Sequence, residues 1–312
     1  MRPTRRLAYL LAGLVTATAI AVPVAPPASA TFPAKNGLLA FQAVTADGNQ
    51  IFTVRPNGKD MRQVTDGPGE ATTPDWSPDG AWLAYSLDEC TVALVRPDGR
   101  DQRTIPSQHP EGCETAPAFT PDGRHLVFEV YDAVNNDNAV WIMGIDGSGR
   151  RRIGTGPYGT AATPAVSPDG QTVSFLSLPP DERGEIWAMD LAGGVAHQVS
   201  PTLNGITFKH DWAPDGSRLV MSDNADQADR PVNVVTIRPD GTGLRYLTDF
   251  RRPDERALAG GYSPDGKWIS YRLEKGSRNA LMVMRTDGRG SRTVLPFSSF
   301  RPRNIDWGPG GR

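Results

Sequence analysis

Trp76-Ser-Pro-Asp-Gly80 is the stretch that decides the fold, because it recurs along the chain at nearly constant spacing. Proline presets φ at the first corner of a turn, aspartate favours the second corner, and glycine takes the positive φ that reverses a hairpin. Each copy therefore predicts a tight turn between two antiparallel strands. The further copies, at successive spacings of 43, 47, 46, 50 and 45 residues, are Phe119-Thr-Pro-Asp-Gly123, Val166-Ser-Pro-Asp-Gly170, Trp212-Ala-Pro-Asp-Gly216, Tyr262-Ser-Pro-Asp-Gly266 and the degenerate Trp307-Gly-Pro-Gly-Gly311.

The segments between the turns have the alternating pattern of short strands. After each turn comes a strand such as Trp82-Leu-Ala-Tyr-Ser86, and a variable polar loop then leads to a third strand such as Val92-Ala-Leu-Val95. A second turn, here Arg96-Pro-Asp-Gly99, precedes a short fourth strand. Four strands in a repeat of roughly 47 residues are typical of a β-propeller blade.

The two ends of the repeat region complement each other. The first repeat begins at its second strand, Gly37-Leu-Leu-Ala-Phe41, whereas the chain ends on an isolated first strand, Asn304-Ile-Asp-Trp307. One blade built from both ends would close the ring and leave no unpaired sheet edge. The sequence therefore predicts an all-β, six-bladed propeller of four-stranded antiparallel blades.

These repeats carry a resemblance to a known family. The aromatic-Ser-Pro-Asp-Gly turn, paired with Val140-Trp-Ile-Met-x-x-Asp-Gly-x-x-x-Arg, resembles the WD-like repeats of the TolB-like propellers. The resemblance covers residues 31–312 and implies the propeller half of TolB without its α/β domain. It also implies a choice of functions, because TolB-like propellers serve as adaptors, as gating domains of peptidases and occasionally as lyases.

The first thirty residues have the features of a secretory signal. Arg2, Arg5 and Arg6 precede an apolar stretch, residues 7–24, and Ala28-Ser-Ala30 supplies a small-residue cleavage site. We expect cleavage after Ala30, a secreted or periplasmic (extracytoplasmic) location, and no membrane span in the mature chain. Arg5 and Arg6 leave both the general secretory route and the twin-arginine route open.

The charge of the chain argues against a nucleic-acid partner. The formal net charge is -2, and losing Arg2, Arg5 and Arg6 with no acid makes the mature chain, residues 31–312, still more acidic. A nucleic-acid-binding domain is usually basic. All-β rings of this size commonly fold as one domain, and we expect a monomer.

A search for catalytic motifs favours a binding protein over an enzyme. The sequence has no G-x-S-x-G motif of a serine hydrolase, and its four histidines include no H-x-x-x-H pair that would indicate zinc. The alternative is a hydrolase or lyase acting on a polysaccharide or peptide, with Glu70 and Glu114 as acid and base. We predict no cofactor, with calcium as the one open possibility.

Cys90 and Cys113, the only two cysteines, are candidates for a disulfide in an exported protein. Cys90 lies in the loop between the second and third strands of one predicted blade. Cys113 lies just before the first strand of the next, so both fall on one face of the ring. The alternative is two unrelated buried thiols.

Asp132, Asn135 and Asp137 are the candidates for a calcium site, because they crowd one polar loop with oxygen ligands. A solvated polar loop is the other interpretation of the same residues. The aspartates of the Pro-Asp-Gly turns are interpreted as turn residues, because one carboxylate per turn cannot supply the six or more oxygens that calcium takes.

The loops between second and third strands vary most from repeat to repeat and carry an excess of acidic residues, and we call the side of the ring that they form the variable-loop face. Recognition usually resides in such loops on a rigid scaffold. The predicted function is thus a binding module or scaffold for a protein or cell-envelope ligand, with an adaptor similar to the TolB propeller as a further alternative. The residues expected to border the channel mouth, for ligand binding or for ring packing, are Glu70, Glu114, Thr163, Lys209, His210 and Arg303.

Overall fold

A computed structural model describes residues 34–109, 112–132, 134, 137–181, 183–201, 203, 209–223 and 231–310. The predicted signal, residues 1–30, and its cleavage site lie outside the described residues. The described chain is built of strands, turns and loops, and no helix in it is long and apolar enough to cross a membrane.

The first twelve strands, in chain order, are β1 (Asn36–Thr45), β2 (Gly48–Val54), β3 (Arg62–Gln63), β4 (Ala71–Trp76), β5 (Leu83–Leu87), β6 (Thr91–Val95), β7 (Arg103–Thr104), β8 (Gly112–Phe119), β9 (His125–Asp132), β10 (Asp137–Gly144), β11 (Arg151–Gly154) and β12 (Ala162–Val166). The remaining twelve are β13 (Thr172–Ser177), β14 (Glu185–Asp190), β15 (His197–Gln198), β16 (Asp211–Trp212), β17 (Leu219–Asp223), β18 (Asn233–Ile237), β19 (Arg245–Tyr246), β20 (Glu255–Tyr262), β21 (Trp268–Lys275), β22 (Arg278–Arg285), β23 (Arg292–Ser298) and β24 (Arg303–Pro309).

These strands form six antiparallel sheets of four strands, which confirms the predicted six-bladed propeller. Blade 1 has the order β24-β1-β2-β3, and blades 2 to 6 each take the next four strands of the chain, from β4–β7 to β20–β23. Strands β24, β4, β8, β12, β16 and β20 are innermost. Five of them end at the aromatic or hydrophobic residue that opens a turn motif, and β24 continues two residues beyond Trp307.

The turn motif folds as its residues predict. In the first copy, Gly80 N donates to Ser77 O at 2.8 Å with Gly80 at φ +70°, and Ser77 Oγ donates to Asp79 Oδ1 at 2.6 Å. Asp79 Oδ1 also accepts the N–H of Ala81 at 3.0 Å. The carboxylate is thus engaged within its own turn, in agreement with its interpretation as a turn residue.

The hydrophobic core lies between neighbouring blades. The second strand of five blades carries a buried aromatic residue at the same position, and Met221 fills that position in blade 5. Six apolar clusters each combine side chains of two adjacent blades. Ring closure therefore completes one of the six interfaces as well as one sheet. The five aromatic residues are Phe41, Tyr85, Phe128, Phe175 and Tyr271.

The two ends of the repeat region meet in blade 1. Strand β24 pairs antiparallel with β1, with Leu39 opposite Trp307 and Ala40 opposite Asp306. Ile305 and Trp307 are buried in the cluster that joins blade 1 to blade 6. The closing strand thus contributes to both the sheet and the interface.

Cys90 and Cys113 are joined by a disulfide in the structure, with Cα atoms 4.0 Å apart. The bond connects the β5–β6 loop of blade 2 to β8, the innermost strand of blade 3. Nearby, Glu114 N donates to Cys90 O at 3.3 Å, so the backbone also links the two segments.

Removing this bond should lower stability without changing the fold. On the chain-entropy account, closing a loop of roughly 24 residues contributes about 3 kcal/mol, so the double variant Cys90→Ser/Cys113→Ser should melt several degrees below the native protein. Non-reducing peptide mapping of exported protein should recover one linked fragment. Two alkylatable cysteines in native exported protein would contradict the prediction.

Candidate functional site: the cavity at the centre of the ring

The innermost strands are interrupted by bulges near the ring axis. Four residues adopt left-handed backbone conformations with φ between 47° and 49°. Each lies three positions before the aromatic or hydrophobic residue that opens a turn motif, and they are Thr73, Ala116, Thr163 and Asn304. The pairing register of β4, β8 and β12 with the second strand shifts at the same place. Non-glycine residues occupy this region only where the surroundings enforce it.

Polar side chains of the preceding blade hold these bulges. Gln42 Oε1 accepts the N–H of Thr73 at 2.8 Å, and Ser86 Oγ accepts that of Ala116 at 2.8 Å. Glu129 Oε2 accepts the N–H of Thr163 at 3.2 Å. Blade 5 follows the same rule through Ser222 Oγ, which accepts the N–H of Ala259 at 2.7 Å. Each acceptor directly follows the buried aromatic position of its second strand.

A second set of ties uses the residue just before the motif aromatic. Asp306 accepts the N–H of Trp76 at 2.9 Å, Asp75 that of Phe119 at 2.8 Å, and Asp211 that of Tyr262 at 2.7 Å. Each aspartate therefore joins its own blade to the next. Blades 3, 4 and 6 carry Ala118, Ala165 and Gly261 at this position.

The three aspartates and Lys209 form one electrostatic cluster. Lys209 Nζ lies 3.6 Å from Asp306 Oδ1. Burial, together with the charge of Asp306, raises the pKa of Asp75 well above its usual range. Burial also raises the pKa of Asp211 to about 7, although the charge of Lys209 opposes the shift. Burial would lower the pKa of Lys209, but the neighbouring aspartates raise it. The lysine thus remains charged and offsets part of the negative charge.

A cavity of about 90 Å³ lies against this cluster, and Asp75 and Asp211 are among the residues that line it. The bulge residues Thr73, Ala116, Thr163 and Asn304 line it, together with Lys209 and His210 among others. Two buried polar atoms of the lining, Thr163 Oγ1 and His210 Nδ1, have no hydrogen-bond partner within the described part of the chain. Buried polar atoms usually find partners, so these two leave hydrogen-bonding capacity unused beside the cavity.

The orientation of His210 follows from its neighbours. Ser174 Oγ accepts the indole N–H of Trp212 at 2.8 Å, donates to Ala165 O at 3.3 Å and lies 2.9 Å from His210 Nε2. If the single hydroxyl proton goes to Ala165, Nε2 carries the imidazole proton and Nδ1 is an acceptor, a tautomer assigned from the network. Burial lowers the pKa of His210 to about 3, with the charge of Lys209 acting in the same direction, so the ring is neutral at physiological pH.

The predicted site residues fall into two groups. Thr163, Lys209 and His210 line the cavity, and Arg303 directly precedes the cavity residue Asn304. The structure places the carboxylates of Glu70 and Glu114 elsewhere, in contacts with neighbouring segments that occupy them.

Glu70 Oε2 accepts both the backbone and side-chain N–H of Asn49, at 2.9 and 2.5 Å, and so ties blade 2 to blade 1. Glu114, fully buried, accepts from His109 and Arg150. These contacts leave no carboxylate pair of Glu70 and Glu114 facing the cavity. The cluster of Asp75, Asp211 and Asp306 was missed by sequence reasoning, although an aspartate precedes the motif aromatic in three of six repeats.

The structure describes only part of the loop proposed as a calcium site. Asp132 Oδ1 accepts the N–H of Val134 at 2.9 Å. Asn135 and the side chain of Asp137 lie outside the described residues. Within the described ranges, no three histidine, cysteine, aspartate or glutamate side chains are placed to hold a metal ion.

Glu129 should make stability depend on pH. Burial raises its pKa to about 7 from an ordinary value near 4.5, despite the hydrogen bond from Thr163 N. The folded chain therefore retains a proton that the unfolded chain releases, so this contribution to stability is present below pH 4.5 and is lost as the pH rises through 7. Glu129→Gln should remove this loss. At pH 8 its free energy of unfolding should exceed that of the native protein by up to about 3 kcal/mol, so it should melt at a higher temperature.

The glutamine can keep both contacts of Glu129. Its oxygen can accept from Thr163 N, and its amide can donate to Asn138 once that amide turns over; in the native chain Asn138 Nδ2 donates to Glu129 Oε1 at 2.9 Å. Melting curves from pH 4 to 8 measure the difference, with Glu89→Gln in an exposed loop as the matched control. A difference between Glu129→Gln and the native protein that does not change with pH would contradict the prediction.

Comparison with known proteins identifies the repeats. A family model described as the TolB beta propeller domain matches residues 98–310. The uncharacterized peptidase YuxL of Bacillus subtilis is 26% identical over 209 residues, which cover 64% of this chain and 29% of that protein. An uncharacterized protein of Agrobacterium fabrum is 28% identical over 205 residues, or 64% of this chain and 65% of its own length. The chain thus spans less than two thirds of either relative.

Among solved structures, TolB from Acinetobacter baumannii superimposes with a TM-score of 0.71 at 19% identity, covering 88% of this chain and 67% of that one. At this identity the likeness concerns the fold.

Proposed function

Because this chain belongs to the TolB β-propeller domain family, we propose that it is an exported, monomeric binding module that takes a protein or cell-envelope ligand at the central cavity and the variable-loop face around it. The observation that carries the proposal is the pair of buried, unpartnered polar atoms, Thr163 Oγ1 and His210 Nδ1, in two residues that line the cavity. A ligand that supplies a donor to His210 and a partner to Thr163 removes the cost of leaving them unsatisfied.

The rest of the site supports binding more than catalysis. Asp75, Asp211 and Asp306 each accept a backbone N–H from the next blade, so their carboxylates hold the ring together. Rigid walls with a few oriented polar atoms are typical of recognition sites.

Export is part of the proposal, and it rests on the basic, apolar and small-residue segments of residues 1–30 and on the disulfide. We expect intact-mass analysis of exported protein to give a chain that starts at Thr31. A start more than a few residues away would contradict cleavage after Ala30, and retention of residues 7–24 would favour a membrane anchor.

Affinity capture from the native envelope and secretome tests the binding function. The bait is the mature protein, and Thr163→Val removes the unpartnered hydroxyl while keeping the β-branched shape. Thr104→Val, on the exposed outermost strand β7, is the matched control. We expect a partner that is retained by the native and Thr104→Val baits and depleted on Thr163→Val. Equal capture by all three baits would show that the cavity does not bind the partner. Chemical conversion of the captured material would favour an enzyme.

A further inference from the structure

Two arginines share one carboxylate where blades 6 and 1 meet, with a third arginine beside them, and we call Arg272, Arg301, Arg303 and Glu274 the rim arginine cluster. Arg272 Nη2 donates to Glu274 Oε1 at 2.8 Å. Arg301 reaches the same oxygen through Nη2 at 2.8 Å and Nε at 3.1 Å. Arg272 Nη1 also donates to Pro302 O at 3.1 Å, which fixes the segment before β24.

The cluster carries more positive charge than its carboxylate can balance. Arg303 is half-buried, and its guanidinium has no hydrogen bond or ion pair with the described residues, although the charge of Glu274 acts on it. Burial and the charge of Arg301 lower its pKa. Burial lowers the pKa of Arg272 to about 10, and Arg301 and Arg303 add to that effect. Arg256 Nε, 3.9 Å from Glu274 Oε2, adds a further cation nearby. An anion would relieve this repulsion.

The cluster is adjacent in sequence to the central cavity. Arg303 directly precedes Asn304, which lines the cavity and donates through Nδ2 to Gln42 Oε1 at 2.8 Å. Arg303 is itself paired with Gln42 in the β1–β24 ladder. Strand β24 therefore connects the cluster to the cavity lining.

The chemistry of the cluster and of its surroundings selects the anion. A guanidinium presents a planar fork of donors that matches a carboxylate in two-point contact. The loops elsewhere on the same face are acidic, with Asp88 and Glu89 exposed in the β5–β6 loop. An extended polyanion would be repelled by them, whereas a neutral or basic chain with a single carboxylate would not.

We propose that Arg303 and Arg301 bind the carboxylate of a peptide ligand at the rim of the central cavity. The inference rests on the proposed binding function and specifies its ligand. Arg272 bonds to both Glu274 and Pro302 and so holds the segment before β24 in position. The carboxylate belongs either to the C-terminus of the peptide or to an acidic side chain within it.

An NMR titration of arginine Nε–H signals in the mature protein tests the proposal, with acetyl-Gly-Ala-Ala as the probe. The same peptide amidated removes the carboxylate, and amidated acetyl-Gly-Asp-Ala moves it to a side chain. Inorganic phosphate is the fourth probe. We expect saturable shifts of the Arg301 and Arg303 signals with one of the two peptides that carry a carboxylate. We expect no shifts with acetyl-Gly-Ala-Ala amide.

Variants of Arg303 separate the effect of its positive charge from the effect of its two-point guanidinium geometry. We expect Arg303→Gln to weaken binding by about tenfold or more and Arg303→Lys to recover only part of it. Arg251→Gln, at an exposed arginine paired with Asp249, should bind like the native protein. Equal shifts with amide and carboxylate, tighter binding of phosphate, or an unchanged affinity in Arg303→Gln would each overturn the proposal. If capture of a partner depends on Thr163 but is unchanged in Arg303→Gln, the binding function is supported and this inference is refuted.

Discussion

Deleting residues 304–312 should cost the mature protein most of its stability. The deletion removes nearly all of β24, which pairs with β1 along the inner edge of blade 1. It also removes Ile305 and Trp307 from the core, and burial of such side chains contributes about 1.5–3 kcal/mol each. The lost ladder and the lost Asp306 contact to Trp76 add to this sum. Typical domains are stable by only about 5–15 kcal/mol, so the truncated chain should melt far below the intact one or fail to fold.

The measurement is a thermal melt of the two mature proteins at the same concentration. A chain shortened only by Gly311 and Arg312 is the control, because it retains the whole of β24. If the truncated form melts within a degree or two of the intact protein, strand β24 does not close the ring. A surface tail would cost under about 0.5 kcal/mol.

Replacing Lys209 by methionine should produce the second large loss. The lysine, with 20% of its side chain exposed, is the cation whose charge offsets the buried Asp75, Asp211 and Asp306. Breaking a buried ion pair by removing one partner costs about 3–5 kcal/mol, and the partial exposure places Lys209 at the lower end. We expect the melting temperature at pH 8 to fall by roughly 5–10 °C.

The pH dependence of this loss identifies its cause. Without the lysine, the pKa of Asp75 and that of Asp211 should rise further, so the folded chain is penalised once the unfolded aspartates ionise above about pH 4. The deficit should therefore be small near pH 4 and grow towards pH 8. Adding Asp306→Asn, which keeps an acceptor for Trp76 N, should recover part of the stability. Lys267→Met, at an exposed position, is the matched control, and an equal loss in it or a pH-independent deficit would refute the electrostatic account.

The repeat made the architecture predictable from sequence because its signals are local. Proline, aspartate and glycine set backbone angles within a few residues, so Ser77 to Gly80 form the same turn wherever the motif stands. The unmatched strands at 37–41 and 304–307 then left only one way to close the ring. Cys90 and Cys113 were paired by the same reasoning, since blade topology places their loops on one face.

The candidate site could be predicted only in part, because its chemistry depends on contacts between blades. Thr163, Lys209 and His210 were placed near the axis by their position before the turn motif, and they do line the cavity. Glu70 and Glu114 also precede a turn motif, by six and five residues, yet Asn49 and Arg150 hold their carboxylates between segments.

The sequence by itself determined the number of blades, the turns, the closing strand and the cysteine pair, since each depends on local backbone preference or on the order of strands. Only the tertiary structure decided which carboxylates are tied to a backbone N–H, why Thr163 and His210 have unpartnered atoms, and how Arg272 and Arg301 converge on Glu274. Hydrogen-bond partners and burial are set by side chains 30 to 230 residues apart, as Asp306 and Trp76 illustrate. No local pattern contains that information.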